Sequence, residues 1–278
     1  MEGRTYPMRT IALYIAAALA CSLLLFPIYW MVVTALQPST NLRAYPPQFW
    51  PVNPQWEVFA DFMAEHPFAI WVRNTLLIAF ATMTVSLTVS ILAAYALSRF
   101  RLRGKKVVGL FILTSQMLPA TLLIIPLFVI FRSVGLVGSP WSVVIAQSTL
   151  IIPFCVWMLK GYFDTIPEEL EHAALVDGCS PLGIIFRIVL PIAAPGLAAT
   201  ALYAFVVSWS DFLFGLTFLG GNDQNWTLQM GIASLRGEYV TEWNVIMAGS
   251  VLASIPIMIA YVFLEKYLVG GLAAGSEK

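Results

Sequence analysis

The sequence predicts an all-α membrane protein of six transmembrane helices with both termini in the cytoplasm. Three observations carry that reading: a shortage of charge, six apolar runs of bilayer length, and a lopsided distribution of Lys and Arg. Only 11% of the 278 residues are charged and 59% are hydrophobic, whereas a soluble domain carries about 25% charged residues. So few charges cannot clothe a water-facing surface, which excludes soluble, disordered and disulfide-rich classes. A formal net charge of zero also lacks the basic face that nucleic-acid binding needs.

A hydrocarbon core of about 30 Å takes roughly 20 apolar residues of helix. Charge-free runs at 10–42, 74–98, 107–131, 133–159, 188–210 and 243–264 supply that length. They place spans at about 11–36, 74–98, 107–131, 141–159, 189–214 and 244–265 in a single transmembrane domain covering 1–278. One set of flanks holds Arg4, Arg9, Arg99, Arg101, Arg103, Lys105, Lys106, Lys160, Arg187, Lys266 and Lys278. The alternate set holds Arg43, Arg73, Arg132 and Arg236. Lys and Arg accumulate on the cytoplasmic side. The termini and the loops 99–106 and 160–187 are therefore expected inside, and the loops 37–70 and 220–243 outside.

The first run begins like a signal peptide, with Arg4 and Arg9 ahead of it and Ala18-Leu19-Ala20 before Cys21. It continues to Leu36, too long for a signal core of about 7–15 residues, and so reads as a membrane anchor. Cys21, Cys155 and Cys179 sit in two spans and a cytoplasmic loop, a distribution that implies no disulfide framework. With His66 and His172 as the two histidines and no CxxC or HExxH, no metal site is expected.

An ion-driven transporter carries ionisable groups within its spans. Here the span centres lack them, and Asp211 falls near the outer end of the fifth run. Energy for uphill transport would then come from another subunit. The chain has no GxxxxGK[ST] run to cradle a nucleotide, no nucleophile elbow and no dinucleotide turn, so enzymatic activity is not expected. Pro27, Pro119, Pro126, Pro153 and Pro256 fall within the runs and predict kinked or broken helices. Such breaks either line a pathway or shape the packing of the bundle.

The segment 160–187, KGYFDTIPEELEHAALVDGCSPLGIIFR, reads as helix, glycine turn and helix. Thr165 and Glu168 have capping-box spacing, and Glu168, Glu169 and Glu171 suit the positive end of the helix dipole. Leu170, Ala173 and Ala174 form a small apolar stripe. Asp177-Gly178 stops the helix through a left-handed glycine, and Ser180-Pro181 starts the next as N-cap and first-turn proline. A first helix this short is unstable alone and must pack on its own bundle or on a partner. Between those two the local physics does not choose.

The run His172-Ala173-Ala174, three residues, Gly178, nine residues, then Ile188-Val189-Leu190-Pro191 has the spacing of the E-A-A loop of ABC importer permeases, E-A-A-x3-G-x9-I-x-L-P. Together with Arg73-Asn74-Thr75, "SWSDFLF" at 208–214 and "LPIAAPGL" at 190–197, it makes the chain resemble the carbohydrate-uptake, maltose-type branch over nearly its whole length. The resemblance implies a type I importer permease fold in the inner membrane and uptake of a carbohydrate by ATP-driven alternating access. Uptake of a polyol or glycerol phosphodiester by the same machine stands as an alternative. An ion-coupled secondary transporter and a membrane scaffold stand as alternatives of other classes.

It also implies partners: a second homologous permease, two ATPase subunits, an extracytoplasmic solute-binding protein and the lipid bilayer. No cofactor would be bound by this chain, since ATP and Mg²⁺ belong to the ATPase. Glu171, His172, Ala173, Ala174, Asp177 and Gly178 would form the ATPase-coupling surface, with His172 standing where the family has Glu. In the outer loop, Asn222, Asp223, Trp226 and Arg236 would face the solute-binding protein. For the solute path the candidates are Trp209, Asp211, Gln116 and Gln147. An aromatic face beside a polar acceptor suits a sugar ring, while an interfacial Trp is also an anchor and an amide in a span is also interhelical glue.

Overall fold

The computed structural model describes residues 7–101, 103–237 and 241–275, with the side chains of 7–9, 43 and 264–275 excepted. Arg4 and Lys278, and the side chains of Arg9, Arg43 and Lys266, which entered the orientation count, lie outside the described residues. In chain order the helices are α1 (Pro7–Leu36), α2 (Glu57–Glu65), α3 (Phe68–Arg99), α4 (Lys105–Ser115), α5 (Ala120–Ser133), α6 (Pro140–Phe163) and α7 (Glu168–Val176). They continue as α8 (Pro181–Ile184), α9 (Leu190–Ile192), α10 (Ala194–Trp209), α11 (Leu213–Leu219), α12 (Leu228–Ser234) and α13 (Trp243–Gly275). A π-helical turn, Ile185–Val189, joins α8 to α9. The chain divides into two compact units, Met1–Phe68 with Ile232–Ile255, and Ala69–Gly231 with Pro256–Lys278.

In the first unit, α1 leaves Leu13, Leu19, Leu23 and Leu24 more than half exposed, a surface fit for lipid rather than water. Among its described side chains only the last turn is buried, where Ala35 meets Val58 of α2 and Ala248 of α13. The loop after α1, expected on the outer side, contains a helix of its own. On α2, Val58 and Phe62 point inward while Glu57, Asp61 and Glu65 stay partly or fully exposed. Phe62 lies against the backbone of Gly249, where a Cβ would come within 2.5 Å of the ring.

In the second unit α6 is the central strut, burying Val143, Ala146, Ile151, Cys155, Leu159 and Phe163 along its length. One apolar cluster surrounds its C-terminal half, joining Tyr95, Leu97, Leu159, Phe163, Ile166, Ala174, Ile184 and Val189. Another surrounds its N-terminal half, joining Ile78, Phe131, Val143, Phe214, Phe218 and Met230. Between them lies a layer of small polar groups. Gln147 Oε1 accepts from Thr82 Oγ1 at 3.1 Å and from Ser208 Oγ, linking α3, α6 and α10. Ser90 Oγ donates to the Ile152 carbonyl at 3.4 Å. Small side chains that hydrogen-bond across helices replace the hydrophobic drive that is missing within lipid.

Among the described residues four helices are long and apolar enough to cross a membrane, and up to six crossings result if two bent pairs each count as one. The third and fifth predicted spans are those bent pairs. Lys105–Ser115 and Ala120–Ser133 meet at 96°, and Pro181–Ile192 and Ala194–Trp209 at 86°. The expected span 107–131 therefore straddles a break, and 189–214 straddles a bend at Ala193 and a helix end before Asp211. The cause is local: a proline ring collides with the carbonyl four residues earlier. Pro119 stands four residues after Ser115, the last residue of α4, and Pro195 stands four after Pro191. Pro27, Pro126, Pro153 and Pro256 are instead carried inside helices.

Candidate functional site: the α7 loop and its anchors

The loop after α6 folds as helix, left-handed turn and helix. Gly178 has φ +82° with no atom within 4 Å of the place a Cβ would occupy, so backbone geometry alone demands glycine. Cys179 N–H bonds the Ala174 carbonyl at 2.9 Å and Gly178 N–H the Leu175 carbonyl at 3.1 Å, closing α7 in a Schellman-type turn. Ser180 Oγ accepts from Gly183 N–H at 3.2 Å, and Pro181 opens α8.

The start of α7 differs from the capping box expected of Thr165 and Glu168. Pro167 is the N-cap and no side chain caps it, because Thr165 Oγ1 turns back to the Tyr162 carbonyl at 2.7 Å. The expected apolar stripe differs too. Leu170 is 45% exposed and Ala173 is exposed, while the buried residues of α7 are Glu171 and Ala174. A carboxylate thus occupies the inward face.

That burial is possible because Glu171 is fully partnered. Its Oε1 accepts from Arg99 Nε at 2.5 Å and its Oε2 from Tyr95 O–H at 2.7 Å. The two ion-pair side chains are 9% and 7% exposed. Arg99 Nη2 continues to the Ile166 carbonyl at 3.0 Å, and Nη1 to Ser98 Oγ at 3.0 Å. Ser98 Oγ donates to Asp164 Oδ1 at 2.6 Å, Lys160 pairs with Asp164 Oδ2, and Lys105 Nζ donates to the Ser98 carbonyl at 3.1 Å. Burial pushes the Asp164 carboxyl up, but hydrogen bonds from Lys160 and Ser98, with the charges of Lys160 and Lys105, more than offset it and leave it below its ordinary value.

Of the coupling residues read from the sequence, His172, Ala173, Asp177 and Gly178 are exposed, while Ala174 and Glu171 face inward. Glu171 therefore offers no carboxylate to a partner in this structure. Sequence reasoning missed Leu175 and Val176, which stand 51% and 88% exposed at the tip of α7. Their signal was available, since both fall outside the stripe of Leu170, Ala173 and Ala174. Arg99 and Tyr95 had no local signal at all.

At the other end of α3, Asn74 Nδ2 donates to the Gln224 and Trp226 carbonyls at 2.8 and 3.0 Å. Thr75 Oγ1 accepts from Leu228 N–H at 2.8 Å. Asn225 Nδ2 donates to the Gly138 carbonyl at 3.0 Å, and Asn222 Oδ1 caps the following turn by accepting from Gln224 N–H. Asp223 is exposed, whereas Trp226 packs against the Ile78–Phe218 cluster. Arg236 is exposed within the first unit.

Three of the four solute-path candidates lie together, and each has a structural task or a buried place. Gln147 is the interhelical acceptor described above, and Trp209 is fully buried. Asp211 caps α11, accepting from Gly215 N–H at 3.0 Å and Phe214 N–H at 3.4 Å. Gln116 is exposed at the break after α4.

Residues 67–273 match the family described as the binding-protein-dependent transport system inner membrane component. The chain belongs to that family. It is a multi-pass inner-membrane permease component of an ABC importer, and the secondary-transporter and scaffold alternatives fall with that membership. The inner membrane ABC transporter permease protein YcjP of Escherichia coli K12 is 35% identical over 96% of both chains. The diacetylchitobiose uptake system permease protein DasC of Streptomyces coelicolor is 30% identical over 99% of this permease and 98% of that one. A solved bacterial ABC transporter involved in alginate import shares the fold, with TM-score 0.79 and 22% identity over 96% of this chain and 99% of that chain.

Proposed function

We propose that this permease is the carbohydrate-importing subunit of a complex with a second homologous permease, two ATPase subunits and a solute-binding protein. The α7 tip is the part that enters the ATPase. The observation that carries this is the two-sided construction of α7: Glu171 and Ala174 fix one side to the permease, while His172, Ala173, Leu175, Val176 and Asp177 stand outward. A helix too short to be stable alone is thereby held rigid with its apolar tip open to a cleft. ATP and Mg²⁺ are bound by the partner, and binding shifts the permease between states only through contacts that differ between them.

Carbohydrate as the solute class is supported by relatives whose names specify diacetylchitobiose, arabinooligosaccharides, trehalose/maltose and maltodextrin. A related alginate transporter has been solved with a pentasaccharide-bound periplasmic protein, which supports the binding-protein partner. Asn222 and Asp223, exposed in the second unit, are the contacts offered to it.

Purification of the tagged permease in mild detergent tests the reading. The wild type brings down an ATPase and a second six-span subunit, and Val176→Asp loses the ATPase while keeping the second permease. Because Val176 is 88% exposed, its fold does not depend on that side chain. Equal ATPase recovery from wild type and Val176→Asp would refute α7 as the docking element. Uptake of labelled oligosaccharides, polyols and glycerol phosphodiesters by cells with and without the permease then identifies the solute class.

A further inference from the structure

Nothing covalent obliges α3 to follow α7, since Arg99 and Glu171 are 72 residues apart in the chain. We propose, on the reading of α7 as the ATPase-docking helix, that Arg99 is a positioning residue. Its bonds to Glu171 and Ile166 make α3 move as one body with α7, so displacement of the docked helix reaches the span.

The geometry suits that task. One guanidinium donates Nε to Glu171 on α7, Nη2 to the Ile166 carbonyl before α7, and Nη1 to Ser98 Oγ, itself bonded to Asp164 at the end of α6. A planar fork with five fixed donors can hold several groups at set angles, which a lysine ammonium cannot. Tyr95, one turn earlier on α3, fixes the second carboxylate oxygen. The carboxylate is thus held at both oxygens by one helix end and has no freedom to slide.

Stability alone is a poor reason for such a pair. A buried ion pair is often no more stabilising than apolar side chains of the same volume, and the surrounding cluster of Leu97, Phe163, Ile166 and Ala174 would accept them. What an apolar pair lacks is a fixed geometry under load. At its far end α3 also carries Asn74 and Thr75, which hold the backbone of 224–228. A movement delivered to α3 at Arg99 therefore reaches the opposite loop of the same unit through one continuous helix.

The test uses the whole complex in proteoliposomes, with complex yield, ATPase binding, ATP hydrolysis and solute uptake read separately. Arg99→Gln and Glu171→Gln each leave one buried charge alone and lower the yield of assembled complex. The double variant Arg99→Gln/Glu171→Gln removes both charges, so yield and ATPase binding recover. Uptake per ATP hydrolysed stays down by about ten-fold, because coupling rather than folding was lost. Arg99→Lys keeps the charge but loses the fork, and falls between wild type and the double variant.

A double variant that transports at the wild-type ratio would show the pair to be merely structural and overturn the proposal. So would a double variant that no longer binds the ATPase, since Glu171 would then belong to docking. Failure of the wild type itself to bind an ATPase would instead sink the docking reading, and this inference with it.

Discussion

The two ends of α3 do similar work with different chemistry. At Asn74 and Thr75 the neutral side chains bond to backbone groups of 224–228. At Arg99 a buried charge bonds to a buried opposite charge on α7, with backbone and hydroxyl groups as further partners. Neutral bonds to backbone fix a loop whatever its side chains are, and losing one costs little beyond the group left unpaired. A buried ion pair is all or nothing, because either partner alone is worse than neither. The amide end is suited to holding a loop in shape, and the charged end to forbidding intermediate positions.

The contrast can be broken first where the effect is largest. Arg99→Ala should destabilise the assembled protein by about 3–5 kcal/mol, the scale for breaking one side of a buried pair. A fall in detergent melting temperature, partly reversed by adding Glu171→Ala, would be the signature. If the second substitution made matters worse, Glu171 would have another partner of comparable weight.

At the opposite end, Thr75→Val keeps the shape but leaves the buried Leu228 N–H without its acceptor, at about 1–3 kcal/mol. Faster hydrogen exchange confined to 222–231 should report it, with no change at α7. Exchange that quickened at both ends would mean that local order at one end of α3 depends on the other, which transmission by a rigid helix does not require. Gly178→Val comes next, with a backbone cost of about 1–3 kcal/mol because a β-branched residue must take φ +82°. Gly178→Asn should be milder. Uptake should fall in the valine variant more than ATPase binding does, and normal uptake would remove the turn from the mechanism.

Ser180→Ala should cost about 1 kcal/mol, the usual loss for an N-cap, read as fraying of α8. The smallest effect is in pH. The Asp164 carboxyl is held below its ordinary value of 3.8, so its contribution is complete above that value and is lost as pH falls through the lowered one. Exchange at the Asp164 turn should rise only below 3.8, and Asp164→Asn should abolish the step. A step at higher pH would point to another group.

Much of this permease was legible because it is encoded locally. The apolar runs marked four long helices and two bent pairs, Gly178 the left-handed turn, Ser180-Pro181 the next helix, and the E-A-A spacing the family. Each depends on residues within a few positions of one another, where chain stiffness and hydrophobic period act directly. The break at Pro119 was local as well, but its angle of 96° was not, since proline ends a helix without saying where the chain goes next.

Tertiary structure decided whatever depends on which helices meet. The sequence offered Glu171 as a surface charge beside His172, and only the arrival of Tyr95 and Arg99 from α3 makes its burial possible. It offered Trp209, Asp211, Gln116 and Gln147 as solute-path candidates, with an interfacial anchor and interhelical glue as the competing roles. The fold engages Gln147 with Thr82 and Ser208, buries Trp209 and sets Asp211 as a helix cap. A polar side chain in an apolar run announces that it needs a partner. Which partner it finds, a solute or a neighbouring helix, is settled by packing between segments that the chain itself keeps far apart.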